Sequence, residues 1–333
     1  MMGERSAIEW TDATWNPIRG CSRVSEGCRN CYAERDAIRH AYEAGYSPSG
    51  WLHEEPGPYH GLVKSTPAGP RWTGEVRFVE EALPLPLRWK KPRRIFVNSM
   101  SDLFHEKIPD EWVLRIYQTM GAAFEHTYQI LTKRPERIAG VLARITPVLR
   151  AEGRSDPATW SHVWLGVSVE DQATADKRIP LLLRTPAAVR WVSYEPALGP
   201  VGFATWLSCR YHPGPIKSCR CGVSLDWLVC GGESGPGSRP PHPDWFRVGR
   251  DECQSAGVSF FFKQWGEYAP VPKRESGLGR MVRAGDIVVT PEGQLAPIKS
   301  DLSCDREGQG IPMRRVGKKA AGALLDGREW REF

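Results

Sequence analysis

The chain has 333 residues, of which 41% are hydrophobic and 25% charged, with a net charge of +6. That balance excludes a disordered or fibrous chain, and no apolar run reaches the length of a membrane-spanning helix. The length suits one large α/β domain with insertions, or two domains.

The first residues lead into a polar segment and not an apolar signal core, so a cytoplasmic protein is expected. In that reducing setting the nine cysteines read as metal ligands or free thiols before disulfides. The mild positive charge is compatible with a polyanionic partner. Fourteen tryptophans either fill a large core or stack on bases, and composition alone favours the core.

In chain order, residues 8–17 alternate enough to be a first strand, and Pro17 stops it. A loop follows in which Cys21, Cys28 and Cys31 are spaced C-x6-C-x2-C. Thiolates are soft ligands, and a group this tight points to a metal or an iron–sulfur cluster. A closed zinc site wants a fourth ligand, and none is near in sequence. Three ligands and one vacancy suit a site left open for chemistry. Two other readings stay open: ordinary buried cysteines, or zinc completed by a distant residue.

Residues 32–44 read as the first helix, with alanines at helical spacing and Gly45 as its stop. Residues 45–92 scatter Pro, Gly and aromatics and read as an irregular insertion. That insertion is either a lid or binding loop, or a loose surface excursion. It closes on a basic run from Arg88 to Arg94. From there short apolar strands recur at 94–98, 127–132, 163–168, 189–193, 225–230 and 258–264. Helix-length segments at 109–124, 135–149, 170–184 and 243–256 lie between strands, the period of βαβ units. Near-continuous apolar strands indicate a parallel sheet buried on both faces. The expected fold is therefore α/β: a full or partial parallel (β/α) TIM-like barrel of six to seven strands. It would span 1–266, with insertions at 45–92 and 205–224. Residues 267–333, with a hairpin near 286–295 and a short helix at 316–325, form a C-terminal extension packed on the barrel.

Polar residues cluster just past the strand ends: Asn98, Ser99, Ser101, Asp102, Lys133, Arg134, Ser168, Glu170, Glu195 and Glu233. In an α/β barrel those ends share one rim, which carries the active site. Each residue alone would more often be a helix cap or surface ion pair. In the 205–224 insertion, Cys209, His212, Cys219 and Cys221 form a candidate second site for zinc or another small metal. The alternative there is an ordinary loop with free thiols. Cys230, Cys253 and Cys304 stand alone and are expected to fill core.

A three-cysteine loop after the first strand of a parallel barrel resembles the radical S-adenosylmethionine (SAM) superfamily. The usual spacing there is C-x3-C-x2-C with an aromatic before the last cysteine. Here the first gap is six and Tyr32 follows. A match along nearly the whole chain is to the phage-associated three-cysteine-motif family, whose chemistry is unassigned. It rests on 8–11, Trp15-Asn16-Pro17, 28–33, 131–135, 231–235 and 261–266. The superfamily resemblance implies a 4Fe-4S cluster on Cys21, Cys28 and Cys31, with SAM on the fourth iron and a 5′-deoxyadenosyl radical as oxidant. Ser99, Ser101, Asp102, Lys133, Arg134, Ser168, Glu170, Glu195 and Glu233 become candidates for holding SAM. A flavodoxin- or ferredoxin-type electron donor and a protein partner encoded nearby are implied as well.

Nucleic acid or nucleotide is the expected substrate. The basic residues Arg88–Arg94, Arg314, Arg315, Lys318 and Lys319 support this. The Thr-Lys-Arg end of the third strand is also similar to the Thr-Lys of the DNA-repair branch. Two alternatives remain: a zinc-dependent hydrolase acting on nucleic acid, and a non-catalytic partner protein with a structural cluster.

Overall fold

The computed structural model describes residues 6–46, 52–207, 224–272, 281–298 and 310–333. Seven strands form one sheet: β1 (Ala13–Trp15), β2 (Arg94–Val97), β3 (Thr127–Thr132), β4 (Val163–Val169), β5 (Val189–Tyr194), β6 (Trp227–Gly231) and β7 (Ser259–Gln264). Their hydrogen-bonded order is the chain order, β1 to β7. The β1–β2, β2–β3, β3–β4, β5–β6 and β6–β7 pairs are parallel. A doubly wound sheet reverses its strand order partway. This one never does, which is the winding of a partial (β/α) barrel with the seven strands expected.

The chain divides into two compact units. One holds residues 1–167 and 185–189, the other 168–184 and 190–333. In the first, α2 (Asp110–Ala122) and α3 (Ile138–Ala151) bridge β2 to β3 and β3 to β4. Val113, Ile116, Tyr117 and Met120 make one buried face of α2, and Ile138, Val141, Leu142, Ile145 and Leu149 one face of α3. Asp110 and Glu111 favour the α2 start by facing the positive end of the helix dipole.

The first strand and first helix are shorter than expected. Strand pairing is confined to Ala13–Trp15, and α1 spans Tyr32–Arg39. The chain after Arg39 is drawn into other pairings: Gly57 donates to the Ala41 carbonyl and Tyr59 to that of His40. A Cβ on Gly57 would lie 2.4 Å from the His40 oxygen, so this close approach requires glycine. Residues Tyr42–Tyr46 then pair with Leu52–Pro56 as an antiparallel hairpin where the alanine spacing had suggested continued helix.

The 45–92 insertion is also more structured than its composition suggested. Val63–Lys64 pairs with Arg71–Trp72, and Ile18–Arg19 with Arg77–Phe78. Its Tyr59, Leu62, Val63 and Trp72 share a buried cluster with Ala33, Ala37 and Ala41 around α1. The insertion is thus packed, not a loose excursion.

In the second unit, α4 (Gln172–Leu183) starts on a capping box between Asp171 and Thr174. Helix α5 (Pro243–Ala256) has Pro at its first position and ends on left-handed Gly257. Strand β6 is buried at every residue. Trp227 packs on Trp191, Phe261 and Phe333. Eight tryptophans of the chain are 9% exposed or less, so the core-filling reading of the tryptophan count holds for these eight. Cys230 and Cys253 are likewise buried core.

Residues beyond β7 build a four-stranded antiparallel sheet from β8 (Tyr268–Pro270), β9 (Ile287–Val289), β10 (Leu295–Pro297) and β11 (Ile311–Arg315). The expected hairpin is β9–β10. The expected 316–325 helix shrinks to Lys318–Ala321, because it is bounded by positive-φ Gly317 and Gly322. The last residues lie along β7: Phe262 donates to the Trp330 carbonyl and Trp227 Nε1 to that of Glu332. Trp227→Ala is expected to cost about 3–5 kcal/mol, read as a lowered urea midpoint for the second unit.

Candidate functional site

The cysteine loop begins where β1 ends. Gly20 bridges to Ser101 in parallel and so prolongs the β1–β2 pairing. Its φ of +92° and the Glu75 carbonyl, 2.2 Å from where a Cβ would lie, both demand glycine. The loop makes a single 3-10 turn at Glu26–Cys28, and Cys31 takes the N-cap position of α1.

The three thiols are free and half-buried, close enough to act on one another electrostatically. Burial pushes the Cys21 thiol far above its ordinary pKa; Asp102 adds to this, Arg134 opposes it, and Cys31 and Cys28 add again. Burial also raises the Cys31 pKa, against the pull of the backbone N–H groups of Glu34 and Ala33. Left alone, Cys21 and Cys31 are protonated at neutral pH. Binding a cation would discharge that penalty.

A network of charged groups holds this loop. Arg134 is 4% exposed and spends every N–H donor inside it. Nε donates to Glu106 at 2.8 Å, and Nη1 to Asp102 at 3.1 Å and towards Cys21 Sγ at 4.0 Å. Nη2 donates to the Ser22 carbonyl at 3.1 Å and hydroxyl at 2.6 Å. Asp102 also accepts from Thr132 Oγ1, Phe104 N and Lys133 N. A buried carboxylate therefore joins the ends of β2 and β3 and aims Arg134 at Cys21.

His105 completes the group. Its Nδ1 accepts the Lys107 N–H, so the neutral ring carries its proton on Nε2 and donates to Ser22 Oγ at 2.9 Å. Burial, then Arg134, hold its pKa below the ordinary 6.5. Partial burial acts to raise the Glu106 pKa. Its own backbone N–H, Arg134 and His105 outweigh that and hold the carboxyl at about 2.

A second clamp grips the loop from the other side. Buried Glu34 on α1 accepts two bonds from Arg23 and one from Trp72 N. Arg23 also donates to the Arg29 carbonyl, between Cys28 and Cys31. Tyr32 donates to the Ser99 carbonyl at 2.6 Å, and Ser99 Oγ donates to Asn16. Ser101 donates to the Ile18 carbonyl. The structure thus brings Ser99, Ser101, Asp102 and Arg134 to the cysteine loop. Lys133 follows Thr132 and is half-buried, with its backbone on Asp102.

Ser168, Glu170, Glu195 and Glu233 lie in the second unit. Ser168 Oγ donates to the Glu195 carbonyl. Glu170 forms a buried ion pair with Arg178 at 2.9 Å, and Arg178 also donates to the Ser168 carbonyl. Lys263 meets both Glu195 oxygens at 2.8 and 3.0 Å. Arg239 meets both Glu233 oxygens, at 2.7 Å on Oε1 and 2.9 Å on Oε2. All three carboxylates are therefore ion-paired.

A family model described as "Protein of unknown function (DUF5131)" matches residues 5–333. The chain belongs to this DUF5131 family. No curated protein and no solved structure matches it.

For this DUF5131 chain, sequence reasoning passed over Ser22, Arg23, Glu34, His105, Glu106, Arg178, Arg239 and Lys263. Lys263 carried a signal, being a charge inside the apolar strand 258–264; the others look like ordinary helix or loop polar residues. Arg314, expected to face nucleic acid, instead pairs with buried Asp286 through two bonds. Cys209, His212, Cys219, Cys221 and Cys304 fall outside the described residues. Among the described residues no three His, Cys, Asp or Glu side chains are placed to hold one metal ion.

Asp102→Ala would leave the Arg134 guanidinium buried beside only a partly exposed carboxylate. It is expected to cost about 3 kcal/mol in denaturant unfolding. The lowered histidine pKa sets a pH dependence. Below 6.5 the unfolded chain binds a proton at position 105 before the folded one does, so stability present above 6.5 is lost as pH falls. His105→Gln should flatten part of the acid limb in urea midpoints measured between pH 7.5 and 5.

Proposed function

We propose that the chain is an iron–sulfur enzyme of radical SAM type that acts on a nucleic acid or nucleotide. It would hold a 4Fe-4S cluster on Cys21, Cys28 and Cys31. The observation that carries this reading is the gathering of three free thiols on the loop after β1, two of which, Cys21 and Cys31, are held at a desolvation cost that cationic iron would offset. In a cluster each thiolate binds its own iron, so three ligands need not converge on one point. That suits a thiol group not set for a single ion.

Bound together, the cluster and SAM would supply a 5′-deoxyadenosyl radical able to abstract hydrogen from substrate. The chain's own residues position and shield. Arg134 and Arg23 hold the loop from two sides. The Arg134 charge lies against the Cys21 sulfur, where it favours thiolate. Because its donors are all occupied, Arg134 serves the loop and not a SAM carboxylate. Ser99 and Ser101, whose hydroxyls donate to Asn16 and Ile18 and can still accept, lie near it with Lys133 as candidates for cofactor recognition. Within the second unit Glu195 is matched by Lys263 and Glu233 by Arg239. The wider resemblance adds a flavodoxin- or ferredoxin-type donor as the source of the electron.

The test is anaerobic reconstitution with iron and sulfide, then reduction with dithionite in the presence of SAM. About four iron and four sulfide per chain and release of 5′-deoxyadenosine are expected. Cys28→Ala should lose both. Colourless protein with stoichiometric zinc would overturn the reading in favour of a zinc enzyme. A full cluster that never cleaves SAM would make the cluster structural.

A further inference from the structure

The basic run before β2 lies at the opposite end of the strands from the cysteine loop, and the loop network does not use it. Arg88, Lys90 and Lys91 are exposed. Among the described residues none of these three side chains has an acidic partner. Arg93 is half-buried and lies over the Trp89 ring at 5.0 Å, and that ring meets His126 edge-on at 5.9 Å. Arg94 differs, being paired with Asp12.

The segment that follows α2 is stitched to this run. His126 Nε2 bonds the Pro86 carbonyl at 3.0 Å, and the Thr127 N–H bonds that of Arg93 at 2.8 Å. These bonds hold the 124–127 segment against residues 86–93. Phe124 is 69% exposed and Leu87 is 53% exposed, the two most exposed large hydrophobic side chains among the described residues. Leu87 adjoins Arg88 in the chain, and Phe124 stands two residues before the His126 that is bonded to Pro86. Scattered single exposed apolar groups need no explanation, but two on bonded segments that also carry three unpaired cations form a surface.

We propose that this surface, Leu87–Arg93 with Phe124, docks single-stranded nucleic acid. The cations would neutralise phosphates along the backbone, and the Phe124 ring would offer a face for a base to stack on. Arg88 ends a 3-10 turn at Pro86–Arg88 while Lys90 and Lys91 lie beyond it, so the three cations can meet different phosphates. An acidic protein would satisfy the charges but has less use for a bare ring. The inference deepens the nucleic-acid side of the function proposed above. It does not need the cluster, so the two can fail separately.

The experiment is fluorescence anisotropy of the full chain with a labelled 20-nucleotide single strand, across a salt series, with circular dichroism to confirm folding. The Arg88→Ala/Lys90→Ala/Lys91→Ala variant should bind at least tenfold more weakly. Its slope of log affinity against log salt should be shallower by about 2. Phe124→Ala should weaken binding about tenfold and leave the slope unchanged. Lys177→Ala, which removes an exposed cation of α4 in the second unit, should bind as the parent does. Unchanged affinity and slope in the triple variant would overturn the proposal. So would tighter binding to anionic vesicles, or to a duplex with Phe124 silent.

Discussion

The geometry of the candidate site depends on one buried carboxylate. Asp102 accepts four hydrogen bonds, from Thr132, from two backbone N–H groups and from Arg134. A carboxylate out of water is tolerated only when its lone pairs are met and its charge is paired. Here both conditions are satisfied by groups from the ends of β2 and β3. The same bonds fix the Arg134 guanidinium against Ser22 and Cys21. The loop that carries the thiols is therefore held by the sheet and not by its own short 3-10 turn.

The thiols differ from the carboxylates around them. Asp102, Glu34, Glu170, Glu195 and Glu233 each have a cationic partner in direct contact, whereas Arg134 approaches Cys21 only to 4.0 Å and Arg23 acts on Cys28 and Cys31 through space. Burial keeps Cys21 and Cys31 protonated in the absence of another charge. Cys21 and Cys31 are thus the neutral members of a network whose carboxylates are ion-paired. The ion pairs of the second unit show the opposite arrangement, with acid and base already matched at the strand ends.

The parallel strands were legible because each is a short apolar run between helix-length segments, and burial on both faces removes alternation. Helix α5 was legible to its ends because Pro243 and Gly257 are local signals. Helix α1 was not, because its alanines continue past Arg39 and what stops it is Gly57 and Tyr59 pairing with residues 40–41. The same limit applies to the site. The three cysteines announce themselves by spacing, but Arg134 and Glu34 read as common surface charges until the fold buries them. Arg314 shows the reverse: a basic residue that resembled a nucleic-acid contact is consumed by Asp286.

The sequence by itself determined the order of the seven sheet strands and the helices between them, the position of the cysteine loop after β1 and the placing of polar residues past strand ends. These follow from local chemistry: apolar periodicity, proline and glycine stops, and thiol spacing. Only the tertiary structure decided which polar groups serve the loop and which serve each other. It paired Asp102 with Arg134, Glu34 with Arg23 and Glu195 with Lys263, and left Arg88, Lys90 and Lys91 without an acidic partner among the described residues. The physical reason is that pairing depends on residues far apart in the chain meeting in a low-dielectric interior, where an unmatched charge is costly and its partner is set by the fold.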